Sequence, residues 1–489
     1  MPEARAGIET DSDRALSTAT AADEDQVTPE TDLGTLIEWF ETAEDLTTDA
    51  RELSERDRDY YDGKQWTDKE KKVLRERKQP DTVNNELQRK IDFLTGFEAE
   101  QRTDPKAFPR NPNDEETAEA ATDMLRYQET ASELDQKLSD VWENMMIEGF
   151  GGLEVRGPEE SNPNVIEVIH WHWDRLFYDP HSRRHDFSDA RYFGGVLWMD
   201  DDQAKARWPN AEDMITSTVA EAPVSNAETY MDRPRYNQWA VRGARHRIRI
   251  VQIYFMEGNE WWQAIYSKGG IISAEKIEFL NEDGEPDCPM ILQSCYVDRE
   301  NNRYGLARQL IGPQDEINKR ASKALHLIST TGGMYEEGAI DNIEEFATTM
   351  AKADGWGKVN AGMLDRIEPR DNAKLAEASS NVQLLREAKE AIQQKGPNQA
   401  LQGQTGSSAS GRAIRANQEG GIIEIARPRD RFRHFKTRVY RAIWNRVRQF
   451  TTEETWIRVT DNENHVKFVG FNRQVTFAEI AAKELDAGS

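Results

Sequence analysis

Apolar residues recur at helical spacing through the first third of the chain. This pattern predicts helices over residues 34–60, 84–97 and 115–146, and the last of them is predicted to end at the glycines of residues 149–152. Three prolines within residues 103–114 predict an irregular loop, because proline lacks the backbone donor that a regular element needs. The first third is therefore predicted to be mainly helical.

The middle third changes to runs of β-branched and aromatic residues. These runs are bounded by Gly, Asp, Asn and Pro, which predicts a meander of strands with modest loops. The predicted strands are Val165–His170, Tyr192–Trp198, Ile248–Tyr254, Trp261–Tyr266 and Ile271–Phe279. Strands in the middle with helices on either side predict an α+β fold.

Helical spacing returns after Tyr304. Pro313 is predicted in the first turn of a helix, where a missing backbone N–H is tolerated. One apolar stripe is predicted along this helix, at Ile317, Ala321, Ala324, Leu325 and Ile328. A second helix of similar length is predicted over residues 374–395, stopped by Gly396-Pro397. The two helices therefore bracket the turn-rich residues 334–373.

The last part of the chain combines an uncharged loop with a basic helix. Residues 398–411 are rich in Gln, Gly and Ser, which predicts a loop. Residues 412–450 carry ten Arg and one Lys against three acidic residues, and they predict a helix interrupted at Pro428. A strand-like tail is predicted from Trp456 to Phe471.

The basic helix has two interpretations. Arginine binds phosphate through paired hydrogen bonds, so the helix is a candidate contact for nucleic acid. The alternative is that its arginines pair with the acidic remainder of the protein, within one subunit or between subunits. The sequence leaves both open.

Composition points to a large solvated surface. The chain of 489 residues has the length of about three domains. Charged residues make up 31% of it, against roughly 25% in ordinary globular chains, and its mean hydropathy is -0.83. The net charge is -26, and residues 1–50 hold 14 acidic and two basic side chains. This composition predicts an acidic, disordered tail over residues 1–32.

Apolar stretches and cysteine usage indicate the compartment. The longest uncharged apolar stretch, residues 289–297, is far shorter than the ~20 residues of a membrane span, and the amino terminus has no signal-peptide pattern. Cys288 and Cys295 are too few for a disulfide framework. We therefore expect a soluble protein with no membrane partner, made in a reducing cytoplasm.

No segment carries a complete catalytic pattern. Residues 406–413 have the glycine spacing of a phosphate-binding loop, but Arg412 and Ala413 replace the Lys and Ser/Thr that the chemistry needs. His170, His172 and Asp174 would share one face of a strand, which is either a metal-binding set or a solvated face opposite buried tryptophans. We therefore expect no catalytic residue, no metal site and no cofactor.

Six short segments, in order along the chain, resemble those of phage portal proteins, the head-to-tail connectors, of the short-tailed-phage (podovirus) type. They are Tyr60–Trp66, Gln79–Arg102, Glu148–Gly151, Asp179–Ala190, Tyr304–Asn318 and Ser410–Ile414. Together they span most of the chain.

The resemblance implies a portal fold with a mixed α/β wing, paired stem helices, a small clip and a long helix after the tunnel loop. The implied divisions are a wing at 33–303, stem helices at 304–330 and 374–396, a clip at 331–373, a tunnel loop at 397–411, a long basic wing helix at 412–450 and wing strands at 451–489. A crown, which relatives often carry, is expected to be absent or truncated.

The implied function is that of a ring of about twelve copies at one capsid vertex of the virion, assembled in the host cytoplasm. Double-stranded DNA would be packaged and ejected through it. The implied partners are terminase, tail or adaptor proteins, and the major capsid and scaffolding proteins. The alternatives are another structural virion protein, such as an adaptor or scaffold, or a metal-dependent nucleic-acid enzyme.

The resemblance also assigns candidate contact residues. Side chains expected to face DNA from the tunnel loop are Gln399, Gln402, Gln404, Ser407 and Ser408. Candidate contacts with DNA or a neighbouring subunit are Lys395, Arg412, Arg415, Arg431 and Arg438. Candidate anchors for partner docking on the clip are Tyr335, Phe346, Trp356 and Met363.

Overall fold

The structure is a computed structural model. It describes residues 29–109, 115–159, 161–222, 224, 238–243, 245–329, 333–350, 352, 354–369, 371–394, 425–451, 455–460 and 466–471. These parts fall into two compact units. Unit 1 draws on residues up to Leu53, on Phe97–Gly305 and on residues from Pro428 onward, whereas unit 2 draws on Ser54–Gly96 and Leu306–Arg427.

Helices occur in both units. In chain order they are α1 (Leu33–Tyr61), α2 (Asp68–Glu76), α3 (Glu86–Glu100), α4 (Glu115–Ala131), α5 (Leu134–Ile147), α6 (Asp201–Arg207), α7 (Glu212–Ala220), α8 (Leu306–Ser329), α9 (Ile343–Met350), α10 (Asp371–Gln394) and α11 (Ala426–Phe450).

Most strands lie in the middle of the sequence. In chain order they are β1 (Phe150–Pro158), β2 (Ile166–Trp171), β3 (Leu176–Tyr178), β4 (Tyr192–Asp200), β5 (Ala240–Val241), β6 (Arg247–Glu257), β7 (Glu260–Ser267), β8 (Gly270–Lys276), β9 (Met290–Ser294), β10 (Tyr296–Val297), β11 (Arg303–Tyr304), β12 (Gly333–Tyr335), β13 (Ile367–Pro369), β14 (Thr455–Thr460) and β15 (Val466–Phe471).

Unit 1 is built on a large antiparallel sheet of order β3-β4-β6-β7-β8, with β5 added to β6. Both of its faces are buried. Along β6, Ile250 and Tyr254 join one apolar cluster with Trp171, while Val251 and Ile253 join another that includes Phe40 of α1. Alternate residues of a strand point to opposite faces, so a near-continuous apolar run fits a strand covered on both sides.

A second sheet of unit 1, with order β2-β1-β9, carries its middle strand directly after α5. Leu153 of β1 lies opposite His170 on β2 and Ile291 on β9. The predicted meander and the predicted strand-like tail, now the β14–β15 hairpin, are both present. The α+β class predicted from the sequence is confirmed at this level.

Unit 2 contains an antiparallel pair of helices, α8 and α10. The Lys323 Nζ lies 2.7 Å from the Glu377 Oε1, and the Arg320 Nη1 donates to the Asn381 Oδ1 at 3.2 Å. Residues further along α8 therefore face residues earlier in α10. Strand β12 follows α8 and strand β13 precedes α10. The two strands pair antiparallel, with Tyr335 opposite Ile367.

The long helix predicted over residues 115–146 is wrong: it is two helices. α4 ends at Ala131, where the Ser132 Oγ folds back to the Gln128 carbonyl at 2.7 Å. Glu133 then adopts a left-handed conformation with φ 52° before α5 begins. The apolar spacing continues across the break, so the pattern alone gives no sign of it.

Both proline predictions are also wrong. Pro313 lies inside α8, which begins at Leu306, and not in its first turn. Pro428 is the third residue of α11 and does not interrupt that helix. The backbone N–H groups in the first turn of a helix have no intrahelical partner, so a proline at the position of Pro428 costs little stability.

Candidate functional site

Unit 2 holds a largely buried hydrogen-bond network, here called the amide cluster: the side-chain amides of Gln65, Asn85, Gln314 and Asn318 and the backbone of Asn84. Gln314 is fully buried at its centre. Its Oε1 accepts the backbone N–H groups of Glu86 and Leu87, both at 3.1 Å. Its Nε2 donates to the Asn84 carbonyl at 2.7 Å and to the Gln65 Oε1 at 3.0 Å. One side chain of α8 thus satisfies the first free donors of α3.

The other amides complete the cluster. The Asn318 Oδ1 accepts the Asn84 N–H at 3.0 Å. The Asn85 Oδ1 caps α3 by accepting the Gln88 N–H at 3.0 Å, and it also accepts from the Gln65 Nε2 at 2.9 Å. Three of the six segments noted in the sequence therefore meet at one point. The sequence indicated their importance but not their contact.

A buried ion pair lies beside the amide cluster. The Arg308 Nε donates to the Asp57 Oδ2 at 2.8 Å, and the Asp57 side chain is fully buried. Burial raises the pKa of Asp57 to about 6, although Arg308 opposes that shift. Nearby, the Tyr60 hydroxyl donates to the Asp315 Oδ1 at 2.6 Å. Partial burial and this carboxylate hold the pKa of Tyr60 above its usual range.

Asp57→Asn is expected to change how stability depends on pH. Because the pKa of Asp57 is raised on folding, its contribution to stability is fully present below about pH 4 and is lost as pH rises through about 6. The variant has no carboxyl group to titrate and so lacks this loss. The difference in free energy of unfolding, variant minus parent, should therefore rise by roughly 2 kcal/mol between pH 4 and pH 7. Urea unfolding at a series of pH values checks this, and a pH-independent difference would contradict it.

The residues between α8 and α10, here called the projecting segment (333–369), expose much of their apolar surface. Trp356 is 92% exposed and Leu364 is 73% exposed. Tyr335 is also exposed, whereas Phe346 and Met363 are half-buried. Phe346 packs on the backbone of Gly357, where an added Cβ would lie 2.2 Å from its ring. Exposed apolar groups of this density are typical of a contact surface.

The apolar stripe predicted on α8 is only partly covered. Ile317 and Ala324 are buried, but Leu325 and Ile328 are 48% and 62% exposed. Leu375 at the start of α10 is 57% exposed. The helix pair therefore leaves apolar groups uncovered at the end that adjoins the projecting segment.

In unit 1, arginines of α11 turn toward the strands. Arg431 donates to the Cys295 carbonyl, and the Arg438 Nη1 donates to the Leu292 carbonyl at 3.0 Å. Burial lowers the pKa of Arg438. The fully buried Arg446 pairs with Asp287 at 3.1 Å. For Arg446, the structure therefore agrees with the second interpretation of the basic helix, in which its arginines pair with acidic residues of the same subunit.

Lys395, Arg412, Arg415 and the tunnel-loop residues Gln399, Gln402, Gln404, Ser407 and Ser408 lie outside the described residues, as does the acidic segment 1–28.

His170, His172 and Asp174 do not form one strand face. β2 ends at Trp171, so His172 and Asp174 lie beyond it. The His172 Nδ1 and Asp174 Oδ1 are 2.6 Å apart, while the His170 Nε2 lies 3.1 Å from the Asn144 amide. Within the part of the chain that the structure describes, no group of three or more His, Cys, Asp or Glu side chains is arranged to hold a metal ion.

Comparison with known proteins gives the family. The sequence model of the family described as "Phage P22-like portal protein" matches residues 37–487. The chain belongs to that family. The resemblance drawn from six short segments is confirmed, and the family is a structural one.

One curated relative of this portal family member is the portal protein of Helicobacter pylori bacteriophage KHP30. The two are 22% identical over 377 residues, which cover 75% of this chain. The chain spans 58% of the length of that relative. None of the described helices is both long and apolar enough to cross a bilayer.

Proposed function

We propose that this protein forms a ring of about twelve copies at one capsid vertex of the virion, through which double-stranded DNA is packaged and ejected. The observation that carries this proposal is the family match over residues 37–487. The role is passive: an associated motor supplies the energy, and the ring supplies the passage and the docking surface.

The uncovered helix pair supports ring assembly. Leu325, Ile328 and Leu375 are exposed on α8 and α10. Apolar groups at helical spacing stabilise a protein only when something covers them, and neighbouring copies in a closed ring would do so. In this proposal α8 and α10 are the stem helices, and unit 1 contributes most of the wing.

The projecting segment is proposed as the clip. It would dock terminase during packaging, and then tail or adaptor proteins. Trp356, Tyr335, Phe346 and Met363 are the proposed anchors, because large apolar and aromatic groups carry most of the energy at such interfaces. Contacts with the major capsid and scaffolding proteins are assigned to the wing.

The proposed channel combines weak DNA contacts with long-range repulsion. The tunnel-loop amides and hydroxyls offer neutral hydrogen bonds, which lack the counterion-release energy that Lys or Arg adds. A chain of net charge -26 repels DNA from its surface. Both properties suit DNA that must slide. Lys395, Arg412 and Arg415 are proposed to act near the loop, as contacts with DNA or a neighbouring subunit.

Native mass spectrometry and electron microscopy of the purified chain test the proposed ring. Closed rings of about twelve copies at micromolar concentration are expected. A protein that stays monomeric, or that forms only open chains as an adaptor or scaffold would, contradicts the proposal.

Trp356→Ala is expected to weaken docking without weakening the fold. The side chain is 92% exposed, so its removal should change the free energy of unfolding by less than about 0.5 kcal/mol. Loss of an aromatic anchor should weaken binding of terminase or adaptor about ten-fold or more. Met256→Ala, at a 40% exposed residue of β6, is the matched control. If Trp356→Ala binds its partners as the parent does, the assignment of Trp356 to the docking surface is contradicted.

A further inference from the structure

Unit 1 contains a cleft of about 690 Å³ between α11 and the loop before β4. We call it the basic cleft. Its walls carry side chains of both signs, with arginine in excess: Arg183, Arg184, His185, Asp186, Gln293, Asp430, Arg431, Arg433, His434 and Thr437. Four arginines against two aspartates give this lining a net charge of +2 with histidine neutral. The whole chain, in contrast, carries -26.

In the loop before β4, the acidic residue Asp189 forms hydrogen bonds with the loop itself. Asp189 accepts from the Ser182 Oγ at 2.7 Å and from the backbone N–H groups of Arg183 and Arg184 at 2.8 and 3.2 Å. The carboxylate is thus occupied with the loop backbone. Among the described residues, no carboxylate lies within salt-bridge distance of the Arg183 or Arg184 guanidinium.

Buried contacts hold this loop in place. Arg303, which is 1% exposed, donates to the Ser182 carbonyl at 2.9 Å, and its guanidinium lies over the rings of both Tyr178 and Phe187. The Ser294 N–H donates to the His185 carbonyl at 2.8 Å. A fixed loop loses little conformational entropy when it binds, so the two exposed arginines are preorganised for a ligand.

The helix side adds further positive charge. The Arg431 Nη2 lies 2.9 Å from the His185 Nε2, and partial burial together with Arg431 lowers the pKa of His185. Arg433 is exposed, and no described carboxylate lies within salt-bridge distance of it. The cleft therefore presents guanidinium groups from two elements toward one space.

The lining of the basic cleft contains hydrogen-bond acceptors as well as arginines, and this favours a protein segment over a DNA backbone as its partner. Asp186 and Asp430 contribute acceptors, and the Oε1 of the buried Gln293 has no hydrogen-bond partner among the described residues. A DNA backbone offers only negative charge and acceptors, so it leaves such groups unmatched. A protein segment offers carboxylates for the arginines and also N–H donors for the acceptors.

We propose that the basic cleft binds a carboxylate-bearing segment of a second copy of this chain. The proposal rests on the ring described above and names a surface that joins its subunits. Copies that each carry -26 repel one another, so assembly needs local contacts of opposite sign. Such contacts also determine which faces of neighbouring subunits meet.

The test compares two triple variants of the full chain in sedimentation velocity and native mass spectrometry. Arg183→Glu/Arg184→Glu/Arg433→Glu reverses the charge of the cleft. Lys106→Glu/Lys268→Glu/Arg299→Glu makes the same change at exposed positions elsewhere in unit 1. The cleft variant is expected to associate about ten- to hundred-fold more weakly than the parent. The control variant should form rings as the parent does.

A neutral variant, studied at several salt concentrations, distinguishes an effect of charge on association from an effect on folding. Arg183→Gln/Arg184→Gln/Arg433→Gln should keep the parent's thermal midpoint while its association depends less on salt concentration. Rings that form equally well from the charge-reversed cleft variant would overturn this proposal alone. A parent that stays monomeric would instead overturn the proposed ring.

A photo-crosslinker at Thr437, an exposed residue of the cleft lining, identifies the occupant. In assembled rings it should join an Asp- or Glu-containing peptide of another copy, as found by mass spectrometry. Crosslinks to DNA in filled heads, with none to a second copy, would overturn the proposal.

Discussion

Gly149→Ala is expected to lower the free energy of unfolding by more than about 4 kcal/mol, or to prevent unit 1 from folding. Gly149 has φ +105°, a backbone conformation that side chains oppose. A Cβ added there would lie 2.3 Å from the carbonyl carbon of Tyr304, which is backbone and cannot rotate away.

The same residue joins three elements of unit 1. Its N–H donates to the Asn144 carbonyl of α5 at 2.9 Å, and its carbonyl accepts the Cys295 N–H at 2.7 Å. Strand β1 begins at the next residue. Relief of the clash would therefore move the end of α5, the start of β1 or the Tyr304 backbone, and each move breaks contacts of the core.

Gly96→Ala is the matched control. Gly96 lies within α3, and an added Cβ would meet nothing within 4 Å. Alanine there should stabilise the helix by about 0.5–1 kcal/mol. Circular dichroism during urea unfolding of the two variants gives the comparison. Equal stabilities would contradict the close approach at Gly149.

Gln314→Leu is expected to destabilise unit 2 by about 3–5 kcal/mol. Leucine fills the space but satisfies none of the partners of the amide, which also include the Asn318 Oδ1 at 3.3 Å. The N–H groups of Glu86 and Leu87, the Asn84 carbonyl and the Gln65 Oε1 would all lose this hydrogen bond in a buried site. A partly satisfied polar network is less stable than a complete one, so the effect should exceed that of a single lost bond.

Gln383→Leu on the exposed side of α10 serves as the control, since among the described residues that side chain makes one long contact, to Glu387 at 3.5 Å. Its expected change is within about 0.5 kcal/mol. Amide hydrogen exchange should show faster exchange at Glu86 and Leu87 in Gln314→Leu alone. Unchanged protection at those two amides would contradict the role assigned to Gln314.

Local patterns were sufficient for much of the fold. The strands of the meander and the paired helices α8 and α10 agree with their predicted spans within a few residues at most ends. A strand covered on both faces and a helix with one apolar stripe leave their period in the sequence, so such elements are visible without tertiary information. The six motif segments likewise identified the family.

Other features were decided only when the chain folded. Nothing in the apolar period marks the break at Glu133, because the spacing continues through it. The amide cluster joins Gln65, Asn84 and Gln314, and the last of these is more than 200 residues from the others. Which arginines of α11 pair with their own subunit depends on the position of β9, and the exposure of Leu325 and Ile328 depends on how far α10 covers α8. Periodicity records which face of an element is apolar, but the group that covers each face comes from distant parts of the chain.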